Sequence, residues 1–264
     1  MRLRQGRRQK GFIMQSDATI ILYTSNYLDE KNPYFLSNTR KQLIKAAGNI
    51  PITVVSQKTV VRYDGYEGDF NNVCVGDTGR SHLNIYRQIL AGCKSAKTKW
   101  VMMAEDDCLY SPEHFDFERY IKNPQDDVFY YDMCKLSIFT WIKPALFSFR
   151  FKREVVNQLI CNREFLIEAL EERFKRVDEL KGMGWPEEKI IKYFGDPGRY
   201  ENLLGVTVRK TRQESCTNPS IVFSHEYAYG YEHNQGKKKR LGDLRIIEVP
   251  YWGRAEDVLK LYAK

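Results

Sequence analysis

No stretch of this 264-residue chain approaches the run of ~20 apolar residues that a membrane-crossing helix requires, so the sequence predicts no span. Histidine is scarce, at four residues, and the six cysteines (Cys74, Cys93, Cys108, Cys134, Cys161 and Cys216) never fall into CxxC spacing. That scatter excludes a zinc ribbon and argues against a disulfide framework; it predicts reduced thiols in a cytoplasmic protein. The basic start, Arg2 to Lys10, runs into Gly-Phe-Ile-Met and then polar residues, without the long apolar segment of a secretory leader. There is no RNA-binding motif and no recognition-helix pattern, so a non-enzymatic nucleic-acid binder would rest on charge alone.

Charge is unevenly placed. Of the net +8, five positive charges (Arg2, Arg4, Arg7, Arg8 and Lys10) sit in the first ten residues with no acid among them, leaving an excess of only three elsewhere. Residues 1–13 therefore read as a disordered basic arm. Residues 14–264 are long enough for a single α/β domain with a helical insertion. A second basic run, Lys237 to Arg240, follows Gly236, and more bases cluster between Arg150 and Arg176. Such runs are either solvated faces or holders of phosphate, on a donor diphosphate or on an acceptor such as DNA.

Periodicity supplies the frame. Ala18 to Thr24 and Ile50 to Ser56 read as buried strands separated by a helix over 34–47, which starts after Asn32-Pro33 and stops at Gly48. The end of the first strand, Thr24 and Asn26, is expected to meet a nucleotide, and Lys58 to Thr78 reads as a loop-rich stretch. Apolar positions 83, 85, 86, 89, 90 and 93 form a helical stripe that carries Arg80 and Arg87 with it. Next comes the apolar segment Trp100 to Ala104, which discharges into Glu105-Asp106-Asp107. Carboxylates at the C-terminal end of an interior strand sit where open α/β sheets place ligands. Their mutual repulsion is tolerated if a divalent cation, Mg2+ or Mn2+, occupies the site and accepts phosphate oxygens. The alternative is a solvated acidic turn. Further on, Asp127 to Met133 reads as a strand, followed by an aromatic stretch from Lys135 to Phe149 in which Trp141, like Tyr131, offers a face for a sugar or base. Residues 155–180 and 185–194 read as helices, 196–204 as a turn feeding a helix, and 220–223 as a strand entering Ser224-His225.

The segments Tyr86-Arg87-Gln88-Ile89-Leu90-Ala91-Gly92 and Glu105-Asp106-Asp107-Cys108-Leu109-Tyr110-Ser111-Pro112-Glu113-His114-Phe115 together resemble the sugar-nucleotide half of GT-A glycosyltransferases, in particular small family-2-like members. The match is close over about 35 residues and loose over the first half of the chain. It implies an α/β fold of GT-A type, with residues 14–115 as the nucleotide-sugar-binding half and 116–264 as the acceptor half and closing loop. It also implies transfer of a sugar from a nucleotide diphosphate donor, a UDP-sugar, to a hydroxyl acceptor. By resemblance, Asp107 with Glu105 or Asp106 holds Mn2+ or Mg2+, and a C-terminal histidine, His225 or His233, completes the ligand set. Asp64 or Asp77 reads the uracil edge or ribose, and Lys237 helps neutralise the departing diphosphate. Glu201, with Asp196 as the alternative, is the general base of an inverting reaction. Two acceptors stay open: a hydroxymethyl pyrimidine in DNA, as in phage-type DNA-modifying enzymes, and a surface or lipid-linked glycan. A nucleotidyltransferase, attacking the α-phosphorus with the same acids, is the competing enzyme class.

Overall fold

The computed structural model describes residues 17–60, 70–149, 154–228 and 244–263. Asp64, His233, Lys237 and the basic arm lie outside the described residues. In chain order the elements are β1 (Ala18–Thr24), α1 (Tyr27–Lys31), α2 (Pro33–Ala47), β2 (Ile52–Ser56), β3 (Phe70–Cys74), α3 (His82–Ser95), β4 (Trp100–Glu105), β5 (Cys108–Leu109), α4 (Pro112–Phe115), β6 (Val128–Asp132), β7 (Lys135–Phe139) and β8 (Phe147–Phe149). They continue with β9 (Leu159–Asn162), α5 (Arg163–Gly182), α6 (Glu187–Phe194), α7 (Glu201–Leu204), β10 (Lys210–Glu214), β11 (Ser220–Ser224), β12 (Leu244–Ile246), β13 (Glu248–Val249), β14 (Gly253–Arg254) and α8 (Ala255–Leu259). Among the described residues no helix is long and apolar enough to cross a membrane.

The fold is α/β, with a mixed central sheet between helices. Seven strands run in the order β10-β6-β9-β4-β1-β2-β3. β1, β2, β3 and β4 are parallel, whereas β9 is antiparallel to both β4 and β6. Chain order reverses at β1, with β2 and β3 on one side and β4 on the other, so a crevice opens at the C-terminal ends of β1 and β4. All seven residues of β1 are buried because both faces are covered. On one face Ile20, Leu22, Val54, Met102 and Ala104 pack against Leu43, Ala46 and Ala47 of α2. On the other, Ile21, Tyr23, Val55, Val101 and Met103 meet α3 and α5. Helix α2 starts at Asn32, whose side chain accepts the Phe35 amide at 3.0 Å. Helix α3 starts at Ser81, which accepts the Asn84 amide at 3.1 Å. Helix α3 comes close to the sheet at Gly92, where a Cβ would lie 2.7 Å from methyls of both Ile21 and Val55. A second sheet, β12-β8-β7-β11-β5, leaves the acidic turn at β5 and returns to it through β11.

Three expectations are corrected. The helix over 155–180 begins only at Arg163; Val156–Gln158 form a single 3-10 turn, and Leu159–Asn162 form β9. The antiparallel slot between β4 and β6 supplies hydrogen-bond partners that a longer helix would forgo. The stretch between 58 and 78, expected as loop, contains edge strand β3, and β10 forms the opposite edge. Tyr131 is fully buried and its hydroxyl donates to the Pro197 carbonyl, so it is core rather than a stacking platform.

Candidate active site

Strand alternation divides the three acids. Glu105 and Asp107 face a cleft of about 450 Å3 at the ends of β1 and β4, and Asp106 turns the other way. The Asp106 carboxylate is buried 3.7 Å from Arg40 Nε on α2, and burial raises its pKa. Although its residue lines the cleft edge, its carboxylate serves to tie the turn to α2. Glu105 accepts the Tyr23 hydroxyl on Oε1 and the Asn157 amide on Oε2, both at 2.6 Å. Burial, reinforced by the charge of Asp107, pushes its carboxyl up to about 8 against those hydrogen bonds. Asp107 is the more open of the pair, with its side chain 22% exposed.

The second sheet reaches this turn through one backbone contact, Phe223 N–H donating to the Asp107 carbonyl at 2.9 Å, beside the antiparallel pairing of β11 with β5. That register delivers buried His225, with Nε2 3.5 Å from Asp107 Oδ2. The Tyr227 amide donates to His225 Nδ1 at 3.2 Å, so in a neutral ring the proton sits on Nε2. Among the described residues no hydrogen-bond partner completes that buried nitrogen.

Ligand atoms from Glu105, Asp107 and Cys108 all lie within 4.8 Å of one another. The carboxylates fit a hard divalent cation such as Mg2+ or Mn2+. Cys108 does not join them. Burial pushes its thiol far above its usual range, and it donates weakly to Asp107 Oδ1 at 3.5 Å. A neutral His225 in this orientation presents an N–H to Asp107, and ligating a metal through Nε2 would require giving up the Tyr227 contact.

On the expected nucleotide side the residues separate. Thr24 lines the cleft; its carbonyl accepts from Gln88 Nε2 at 2.7 Å, and its hydroxyl accepts the Asn26 amide at 2.9 Å. Asn26 is buried in the left-handed region at φ 58°, and its Oδ1 takes the amides of Gln57 and Lys58, both at 2.9 Å. It stitches the ends of β1 and β2 and does not line the cleft, so the expectation of direct nucleotide contact is replaced by a scaffold role. Arg80 does line it, with its guanidinium 4.0 Å above the Tyr27 ring and Nη2 donating to the Tyr227 carbonyl at 2.6 Å. Arg87 points away, bonded to Asn84 Oδ1 at 2.7 Å and lying over Phe174 of α5. Asp77 caps its own turn by accepting the Gly79 amide at 3.1 Å, outside the cleft lining.

Asp196 also lines the cleft and Glu201 does not. Glu201 Oε1 is held at 2.6 Å by both Arg173 Nη2 and the Gly198 amide. Arg173 is itself 1% exposed and also donates to the carbonyls of Phe194, Asp196 and Arg199. This buried pair fastens the turn between α6 and α7, and Glu201 lies outside the cleft lining. Asp196 stands on that turn, accepting the Tyr86 hydroxyl on one oxygen and Arg199 Nη1 at 2.9 Å on the other. His82, at the start of α3, also lines the cleft; burial lowers its pKa despite the charge of Asp196. Sequence reasoning passed over His82, although its place one residue after the helix cap was a signal.

No protein-family model matches the chain, and no curated protein matches it. Solved structures of similar shape include a putative protein (Aq1419) from Aquifex aeolicus VF5, with 14% identity, a TM-score of 0.40, and coverage of 69% of this chain and 93% of that one. A glycosyltransferase involved in the glycosylation of the major capsid of PBCV-1 has 9% identity and a TM-score of 0.44, with coverage of 83% and 98%. The galactosyltransferase LgtC, in complex with donor and acceptor sugar analogs, has 10% identity and a TM-score of 0.43, with coverage of 85% and 98%. At these scores the likenesses carry no argument, and the functional reading rests on the chain's own residues.

Proposed function

We propose that this chain is a GT-A-type glycosyltransferase, moving a sugar from a nucleotide diphosphate donor, a UDP-sugar, to a hydroxyl acceptor with the help of Mn2+ or Mg2+. The observation that carries the reading is the pair Glu105 and Asp107 at the switch point of the sheet, facing a cleft also lined by Asp196, His82 and Arg199. A cation between the two carboxylates would offset charge on the departing diphosphate. The rest falls to the chain's own groups. Arg80 lies where it can meet a phosphate at the mouth of the cleft. Asp196, oriented by Tyr86 and Arg199, takes the acceptor proton in place of Glu201. Holding donor and acceptor in line between the walls supplies much of the remaining acceleration.

The test is release of free nucleoside diphosphate from a panel of nucleotide sugars, with and without Mn2+, by the parent and Asp107→Ala proteins. Metal-dependent release from one donor, lost in the variant, is the expected result, followed by screening of hydroxymethylated DNA against glycans as acceptors. Pyrophosphate release from a nucleoside triphosphate would instead make the chain a nucleotidyltransferase. An Asp107→Ala protein with unchanged turnover would sink the metal reading.

A further inference from the structure

Away from the cleft, Asp132 at the end of β6 gathers two cysteines that the proposed chemistry does not use. Its Oδ1 accepts the amides of Cys134, at 2.9 Å, and Cys216, at 3.3 Å, while its Oδ2 accepts the Cys216 thiol at 3.1 Å and faces buried His114 Nδ1 at 2.8 Å. Two backbones that bring their amides to one carboxylate oxygen must run side by side. Strand register says the same. β6 and β10 are parallel with Asp132 opposite Glu214, and the Met133 amide extends the ladder to the Glu214 carbonyl at 2.7 Å. Two residues past the last residue of each strand come Cys134 and Cys216. Neighbouring strands lie roughly 5 Å apart, inside the Cα window of about 4.4–6.8 Å that a disulfide needs. Cys134 is also the largest influence on Cys216, ahead of burial and Asp132, and all three push the Cys216 thiol up.

We infer that Cys134 and Cys216 are a redox-active dithiol that closes to an intramolecular disulfide when a small-molecule disulfide such as glutathione disulfide is the oxidant. Access fixes the order of events. Cys134 is partly exposed and Cys216 buried. The Cys134 thiolate attacks one sulfur of the oxidant, forming a mixed disulfide and expelling one glutathione thiolate. The Cys216 sulfur then attacks Cys134 Sγ, and its proton passes to the second glutathione thiolate as that leaves. One disulfide is reduced to two thiols and two protein thiols are oxidised to one disulfide, so atoms and electrons balance. The bond would join the β6–β7 and β10–β11 connections, next to Lys135, which lines the cleft. None of this depends on the glycosyltransferase reading.

The experiment incubates the whole protein in glutathione buffers of graded oxidised-to-reduced ratio, alkylates remaining thiols, and maps crosslinks by peptide mass spectrometry alongside thermal unfolding. A Cys134–Cys216 crosslink with a midpoint raised by about 10 °C is expected, because the bond closes a long loop. Cys134→Ser should abolish both the crosslink and the rise, and Cys74→Ser, at an exposed cysteine, should leave both intact. A stable glutathione adduct on Cys134, a crosslink to another cysteine, or no oxidation at any ratio would overturn the inference.

Discussion

Glu201 discriminates sharply between scaffold and catalyst. Its carboxylate accepts from buried Arg173 and from the Gly198 amide. Glu201→Ala strands a guanidinium that is 1% exposed, with only three carbonyls to receive it. Breaking a buried pair by removing one partner costs about 3–5 kcal/mol, a large part of the 5–15 kcal/mol by which a typical domain is stable. At roughly 2–4 °C per kcal/mol for a chain of this size, the midpoint should fall by about 6–20 °C. Glu201→Gln keeps an oxygen for both donors and gives up only the charge, so it should lose less, about 1.5–3 kcal/mol. Thermal unfolding and turnover, the latter assayed well below the lower midpoint, are measured on the same preparations. Both variants should retain most of the turnover of the folded fraction. A Glu201→Gln protein with an unchanged midpoint and turnover reduced ~100-fold or more, the loss expected of a missing general base, would refute the scaffold reading.

Other outcomes follow from the same geometry. Because the Glu105 carboxyl is raised to about 8 in the metal-free protein, the folded state holds a proton that the unfolded chain releases near pH 4.5. Its contribution to stability is therefore complete below that value and is lost as pH climbs through about 8. Metal-free midpoints should fall across this window, and the rise produced by Mn2+ should be larger at pH 8 than at pH 6; an equal rise at both would refute it. Gly92→Ala should destabilise by about 1–3 kcal/mol through the contacts with Ile21 and Val55, read by denaturant midpoint, and an unchanged midpoint would show that α3 shifts freely. Asp196→Asn should lower turnover ~100-fold or more with donor KM little changed; a selective rise in donor KM would move Asp196 to the donor side.

Much of this arrangement is legible in the residues because burial writes itself in apolar runs. β1 and β4 are continuous apolar segments, and the resemblance at Tyr86 to Gly92 has a physical counterpart at three positions: Tyr86 reaches Asp196, Gln88 ties the ends of β1 and β2, and Gly92 lets the helix approach. What escaped is explained by position. β3 and β10 are the two edges of the sheet, where polar sequences such as Lys-Thr-Arg-Gln-Glu suffice and leave no hydrophobic signature. β9 reads as part of a helical stripe because Leu159 lies two helical turns from Leu166; the Asn162 cap, accepting the Phe165 amide at 3.2 Å, marks the true start. The role of Glu201 was illegible because its partner, Arg173, lies on a helix whose packing no local pattern announces.

The link from Phe223 to Asp107 spans more than a hundred residues of chain. The acidic turn is made first, and the strand that steadies it and brings up His225 follows only after that long interval. A nascent chain that has made β1 to β4 but not β11 holds the acids without Val222, Phe223, Ser224 and His225, which line the same cleft. The cleft is thus closed around its carboxylates late, by residues remote from them in sequence.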